Sequence, residues 1–365
     1  KPEAETIVTD TLAQPGAETG LRLAYVRALT SLLRYPDAIA QLEAVTQAQP
    51  DLAPPFLSLG ALDLEMKRPK RAEVALRRYL DLAQAAKPAA AASAASSAAQ
   101  GDEEGANQSA QGITQAWLLL AQSAQDRGDY QAAEGWLARI DDPKRALEVQ
   151  TRRASILARQ GKLAEARALI QNAPEQGPDD ARAKILAEAG VLRDVKHWAD
   201  AYDVLGAGVK RFPDDTDMMY EQAMMAEKLD RMDAMEALLR RVMALKPDDA
   251  QSRNALGYSL ADRGLRLPEA RELIARALEL APGDPFITDS LGWVEYRLGH
   301  TEEALRLLRQ AYGARPDPEI GAHLGEVLWS FGERDEARKV WTEARVHDAD
   351  NDVLRETLTR LKVGL

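Results

Sequence analysis

A small residue returns about every 34 positions along most of this chain, and this spacing limits the folds open to it. From residue 133 onward the recurring position holds Ala133, Ala166, Ala201, Met235, Ala270, Ala304 and Ala337. The successive gaps are 33, 35, 34, 35, 34 and 33 residues. A period of this length is typical of a repeat architecture in which each unit stacks on its neighbours.

Each unit reads as two antiparallel helices. Apolar residues recur at three and four positions, as Leu291, Val294 and Leu298 do, and this is the period of a helix. Gly299 is expected to end the first helix of its unit, and Pro316 to follow the second. The small residues fall where the two helices cross, because only a small side chain lets the backbones approach closely. The pattern therefore predicts an all-α chain of about nine helix-turn-helix repeats.

The same register extends upstream and divides the chain. Ala38 and Ala72 are 34 residues apart, whereas Ala72 and Ala133 are separated by 61, which is one repeat plus 27. The excess matches a stretch poor in large apolar residues, which predicts a disordered insertion. The predicted segments are the second helix of a truncated preceding repeat (1–20), units one and two (21–84), the insertion (85–112), units three to nine (113–349) and a C-terminal capping helix (350–365).

Composition excludes several classes of function. There are 47 basic and 58 acidic residues, so the net charge of −11 does not suit a nucleic-acid binder. The chain has no cysteine, and no apolar run approaches the roughly 18–20 residues that cross a bilayer. None of the four histidines, His197, His300, His323 and His347, has a second histidine three or four residues away, and no phosphate-binding or nucleophile motif occurs. We therefore expect no metal, no cofactor and no enzymatic activity.

The small residues and prolines resemble the pattern of the tetratricopeptide repeat. The match is strongest over residues 250–344, where two consecutive units carry the full set, Gly257, Ala270, Ala277 and Pro282, then Gly292, Ala304, Ala311 and Pro316. The resemblance implies a right-handed α-solenoid whose concave surface is lined by the first helix of each unit.

Several of the few aromatic residues fall on the face that this resemblance makes concave. The partner-binding residues expected there are Tyr220, Met224, Asn254, Tyr258, Phe286, Asp289, Trp293, Tyr296, Arg297, His323 and Trp329. Exposed aromatic side chains are frequent anchors of protein recognition. The alternative interpretation is that Trp293 and Tyr296 only pack between neighbouring first helices.

A more particular likeness lies in residues 254–264, 289–299 and 318–329, whose order and composition resemble the end of proteobacterial tetratricopeptide lipoproteins of the outer membrane. The likeness covers roughly residues 115–362. The best-known type in that family is an adaptor for a periplasmic carboxyl-terminal processing protease that cleaves cell-wall hydrolases. The resemblance implies a periplasmic location and a lipid anchor in the full-length protein.

Together these observations predict a non-catalytic scaffold that binds a protease or envelope enzyme and its protein substrate. The sequence begins at Lys1 without an initiator methionine, and we expect a trimmed or mature fragment. The alternative is a cytosolic scaffold, or a general scaffold of envelope assembly, with the same fold and different protein partners.

Overall fold

The computed structural model describes residues 2–14, 18–32, 34–94, 101–175 and 177–365, and the regular structure in these ranges is helical. The chain divides into two compact units, Lys1–Gln176 and Gly177–Leu365. Over the described residues the helices form nine consecutive pairs, preceded by one helix and followed by another. The predicted all-α architecture of helix-turn-helix pairs is thereby confirmed within each unit.

The first unit contains nine α-helices and a short 3₁₀ turn at Pro143–Arg145 within its described residues. The helices are α1 Pro2–Leu12, α2 Thr19–Ser31, α3 Tyr35–Ala48, α4 Ala53–Glu65, α5 Pro69–Ala94, α6 Gly101–Asp126, α7 Tyr130–Leu137, α8 Ala146–Arg159 and α9 Leu163–Gln171. The pairs are α2 with α3, α4 with α5, α6 with α7, and α8 with α9.

The second unit contains eleven α-helices and carries the candidate site. They are α10 Pro178–Asp194, α11 Trp198–Arg211, α12 Thr216–Lys228, α13 Met232–Leu245, α14 Ala250–Asp262, α15 Leu267–Leu280, α16 Pro285–Arg297, α17 Thr301–Ala314, α18 Pro318–Phe331, α19 Arg334–His347 and α20 Asp352–Leu361. Five pairs run from α10 to α19, and α20 packs on α18 as the predicted final helix.

Aspartate or asparagine side chains cap five helices of the second unit, α12, α14, α16, α18 and α20. Asp249 accepts a hydrogen bond from the Ser252 backbone N–H at 2.7 Å, and Asp215 caps α12 in the same way through Met218. Asn351 caps α20 by accepting from the Leu354 N–H at 3.0 Å. These contacts satisfy backbone donors that the first turn of a helix leaves without a partner.

The small residues lie at the crossings of paired helices, as expected. A Cβ atom on Gly325 of α18 would stand 2.2 Å from Nε1 of Trp341 in α19. Trp341 is fully buried, and its Nε1–H donates to the Ala322 carbonyl oxygen at 3.3 Å. The absence of a side chain at Gly325 therefore makes room for the largest side chain of this pair.

The predicted disordered insertion at 85–112 is helical in its two outer parts, 85–94 in α5 and 101–112 in α6. Alanine is the strongest helix former, and the alanines at 89–92 lie in the part of α5 that was expected to be disordered. Tyr79, Ala83 and Ile113 share one buried apolar cluster, which joins α5 and α6 outside the predicted insertion. The centre of the predicted insertion, residues 95–100, lies outside the described residues, and its disorder stays a prediction.

The crossing at Gly325 generates a stability prediction with a matched control. Gly325→Ala should lower the free energy of unfolding by about 1–3 kcal/mol, because the added methyl group overpacks against Trp341. Gly190→Ala, in the middle of α10 with open space around its Cβ position, should raise it by roughly 0.5–1 kcal/mol through helix propensity. Urea unfolding followed by circular dichroism measures both changes; equal effects would show that the crossing does not require glycine.

Candidate functional site

Four first helices of the second unit, α12, α14, α16 and α18, line two neighbouring clefts. The first, here called the acidic cleft, has a volume of about 460 Å³. The predicted site residues that line it are Tyr220, Met224, Asn254, Tyr258, Phe286 and Asp289. Gln251, Asp284, Glu227 and Glu319 add polar side chains to its wall.

The second, here called the tryptophan cleft, has a volume of about 560 Å³. The predicted site residues that line it are Tyr258, Trp293, Tyr296, Arg297 and His323. Its far wall comes from α20, through Glu356 and Arg360 among others. Tyr258 borders both clefts, so the two openings share a wall.

That wall contains a buried hydrogen-bonded network across three first helices. His323 of α18 is 2% exposed, and its Nδ1 lies 2.9 Å from Oδ2 of Asp289 in α16. Its Nε2 lies 3.2 Å from the Tyr258 hydroxyl of α14. The Trp293 ring stacks on the imidazole with a centroid separation of 4.5 Å. The network therefore fixes α14, α16 and α18 relative to one another.

The surroundings of these groups alter their ionisation. Burial by itself would lower the pKa of the His323 imidazole, but the charge and hydrogen bond of Asp289, with the charges of Glu319 and Asp262, raise it above its ordinary value. Burial raises the pKa of the Tyr258 hydroxyl well above its usual range. Tyr258 therefore stays neutral at physiological pH and donates or accepts a hydrogen bond.

Not all of the predicted residues present a surface to a partner. Trp293 is only 4% exposed and packs between α16 and α18, as the alternative interpretation expects. Asp289 and His323 are buried as well, so these three side chains shape the clefts from within. Phe286, 37% exposed, is an open aromatic contact in the acidic cleft. Whether these residues bind a partner stays a prediction.

Trp329, the remaining predicted residue, lines neither of the two clefts. Its ring packs against Trp341 of α19, with a centroid separation of 5.7 Å. The guanidinium groups of Arg334 and Arg338 lie 4.9 and 5.4 Å from the ring centroid. Stacking with these three neighbours, all from α19, holds the indole away from the clefts.

Helix α20 supplies site residues that the repeat pattern does not reveal. The Arg360 guanidinium donates to both carboxylate oxygens of Glu326, at 2.8 and 2.6 Å. Arg360 occupies no position of the repeat pattern, because α20 follows the last helix pair. Glu227 was also missed, although its place on the inner face of α12, one turn from Met224, was a usable signal.

The described ranges contain no group of three or more histidine, aspartate or glutamate side chains that could hold a metal ion. Within the same ranges, no helix is both long and apolar enough to span a bilayer. Nothing in the described residues points to enzymatic activity. What the arrangement offers is two clefts with aromatic and charged walls, carried by packed helix pairs.

Comparisons with known proteins agree with the fold. A family model described as tetratricopeptide repeat matches residues 233–285 and 290–352. The helix pairs, the small residues at their crossings and this match together identify residues 233–285 and 290–352 as tetratricopeptide repeats.

Particular relatives extend the match beyond these residues. A TPR repeat-containing protein of Pseudomonas aeruginosa is 36% identical over 249 residues, which are 68% of this chain and 42% of that protein. The chain thus spans less than half of the relative's length. A solved tetratricopeptide repeat protein of Parabacteroides merdae matches with a TM-score of 0.51 at 15% identity, over 68% of this chain and 99% of that one. This second likeness concerns the fold alone.

The raised pKa of His323 predicts a specific pH dependence of stability. A pKa raised in the folded state means that the protonated imidazole stabilises the fold below its ordinary pKa of about 6.5. This contribution is lost as the pH rises from about 6.5 through the folded-state pKa. Urea unfolding at closely spaced pH values should show that the free energy of unfolding of the wild type declines over this pH range. His323→Gln should remove the decline.

His347→Gln is the matched control, because His347 is exposed in α19. This variant should keep the decline of the wild type. A decline of the same size in His323→Gln would assign the titration to another group.

Proposed function

We propose that this protein is a non-catalytic adaptor that binds protein partners through the two clefts of its second unit. The observation that carries the proposal is the alignment of four first helices, whose inner side chains form adjoining openings of about 460 and 560 Å³. Tyr220, Tyr258 and Phe286 give the acidic cleft aromatic walls. Aromatic side chains provide large contact areas with few rotatable bonds, which favours protein recognition.

The partners we propose are a carboxyl-terminal processing protease, or another envelope enzyme, and its protein substrate. The support is the resemblance of residues 254–264, 289–299 and 318–329 to the tetratricopeptide lipoproteins of proteobacteria. An adaptor that holds both partners raises the local concentration of one near the other. Cleavage is then faster although the adaptor supplies no catalytic group.

The same resemblance supports a periplasmic location, with the full-length protein anchored to the outer membrane by a lipid. Cell fractionation of the full-length protein tests this part separately. Recovery in the outer-membrane fraction would support the proposal, and recovery in the cytosol would contradict it.

A reconstituted cleavage reaction tests the adaptor role. The purified chain, added to a carboxyl-terminal processing protease and a cell-wall hydrolase from the same organism, should accelerate cleavage by about tenfold or more. Replacing Tyr220 and Phe286 with alanine should remove most of the acceleration, because both rings line the acidic cleft. The rate of substrate loss on a gel is the measurement.

Phe331→Ala is the matched control, since Phe331 is 51% exposed at the end of α18 and lines neither cleft. This variant should accelerate cleavage as the wild type does. No acceleration by the wild-type chain would contradict the adaptor role, and equal loss in both variants would contradict the assignment to the acidic cleft.

A further inference from the structure

The acidic cleft is unbalanced in charge. Four carboxylate side chains line it, from Glu227, Asp284, Asp289 and Glu319. None of the described residues that form its lining is a lysine, arginine or histidine. The tryptophan cleft differs, because Arg297 and Arg360 face its acidic residues there.

Two of these four carboxylates are already engaged. Asp284 caps α16, where it accepts from the backbone N–H groups of Phe286 and Ile287 at 2.8 and 3.0 Å. Glu227 lies 3.7 Å from the Arg263 guanidinium, which is outside the cleft lining. Of the other two, Asp289 is engaged through one oxygen only, and Glu319 has acceptor capacity left for a ligand.

Asp289 leaves one oxygen without a partner in the wall of the cleft. Its Oδ2 is bound to His323, but its Oδ1 is buried and meets no hydrogen-bond donor. The side chain as a whole is only 4% exposed. A second buried acceptor without a donor, Oδ1 of Asn254, lines the same cleft. Buried acceptors are costly when unpaired, so both atoms favour a ligand that brings N–H groups.

The Glu319 carboxylate forms no hydrogen bond or ion pair with the described part of the chain. Burial raises the pKa of this carboxyl group above its ordinary value. A positive charge placed nearby would favour the ionised form and offset the loss of hydration. The charges of His323 and Lys228 already act in this direction without outweighing burial, so Glu319 would gain from a further cation.

Aromatic rings complete the cleft. Tyr220, Tyr258 and Phe286 line it, and an aromatic face attracts a cation electrostatically. The Phe286 ring already has a cation beside it within the protein, because the Arg315 guanidinium lies 4.7 Å from its ring centroid. Carboxylates, unpaired acceptors and aromatic faces are thus all suited to the same kind of ligand group.

We propose that the acidic cleft receives a lysine or arginine side chain from an extended segment of the protein partner, with Glu319 and Asp289 as its main acceptors. This inference rests on the proposed function, since it specifies which chemical group of a partner the cleft recognises. The side chain enters between the aromatic rings, and its N–H groups donate to Glu319, Oδ1 of Asp289 and Oδ1 of Asn254.

Two pentapeptides of equal length provide the test. Both are acetylated and amidated and have alanine on either side of the central residue, which is lysine in one and norleucine in the other. Titration followed by NMR, with the Asn254 side-chain amide as the reporter, gives both affinities. We expect the lysine peptide to bind about tenfold more tightly, since charge-assisted hydrogen bonds distinguish the two.

Two single substitutions test whether the difference in affinity between the peptides arises in the acidic cleft. Glu319→Gln should weaken binding of the lysine peptide about tenfold and leave the norleucine peptide unchanged. Glu302→Gln, at an exposed site on α17, should bind both peptides as the wild type does. Equal affinities of the two peptides, or full affinity in Glu319→Gln, would overturn the proposal. A similar loss in both variants would overturn it too, because it would indicate general attraction to the net charge of −11.

The result of the peptide titration can be distinguished from the result of the cleavage reaction. If the lysine peptide binds as expected but the chain does not accelerate cleavage, recognition of a cation by the acidic cleft is supported and the adaptor role is contradicted. If cleavage is accelerated but the peptides bind alike, only the proposed recognition of a cation is contradicted.

Discussion

The close packing of two helices at a small residue is the interaction on which the rest of this structure depends. At Gly325 the backbone of α18 comes near enough to α19 for Trp341 to fill the space that a side chain would occupy. Gly292 has the same relation to Leu308, 2.7 Å from the position of a Cβ atom. Gly257 has this relation to Ile274 in the preceding pair. Close crossings of this kind hold pairs whose first helices line the clefts.

Within the second unit, polar contacts add a constraint that apolar packing does not supply. His323 links α18 to α16 through Asp289 and to α14 through Tyr258. Arg360 links α20 to α18 through Glu326, a side chain only 5% exposed. Buried ionic groups are costly unless paired, so the paired arrangement restricts how neighbouring helices can be placed. The clefts owe their shape to this restriction.

Much of the architecture could be predicted because it depends on the periodic spacing of residues along the sequence. The helix pairs, the aspartate caps and the final helix follow from spacing and from residue types at helix ends. Ten of the eleven residues predicted for the concave face line one of the two clefts. Trp329 lines neither, and its neighbours Trp341, Arg334 and Arg338 lie on the following helix. Repeat spacing carries no information about such stacking.

The sequence by itself determined that the chain forms helix pairs, where each pair crosses and which residues are left for a surface. A period near 34 and a small residue at each crossing allow few other solutions. Only the tertiary structure decided which of those residues are open to a partner and which are buried. Asp289 and His323 are 34 positions apart, Tyr258 and His323 65, and their contact depends on how successive pairs stack. The same stacking leaves Oδ1 of Asp289 unpaired beside Glu319, because side chains from separate units meet only after the units are assembled.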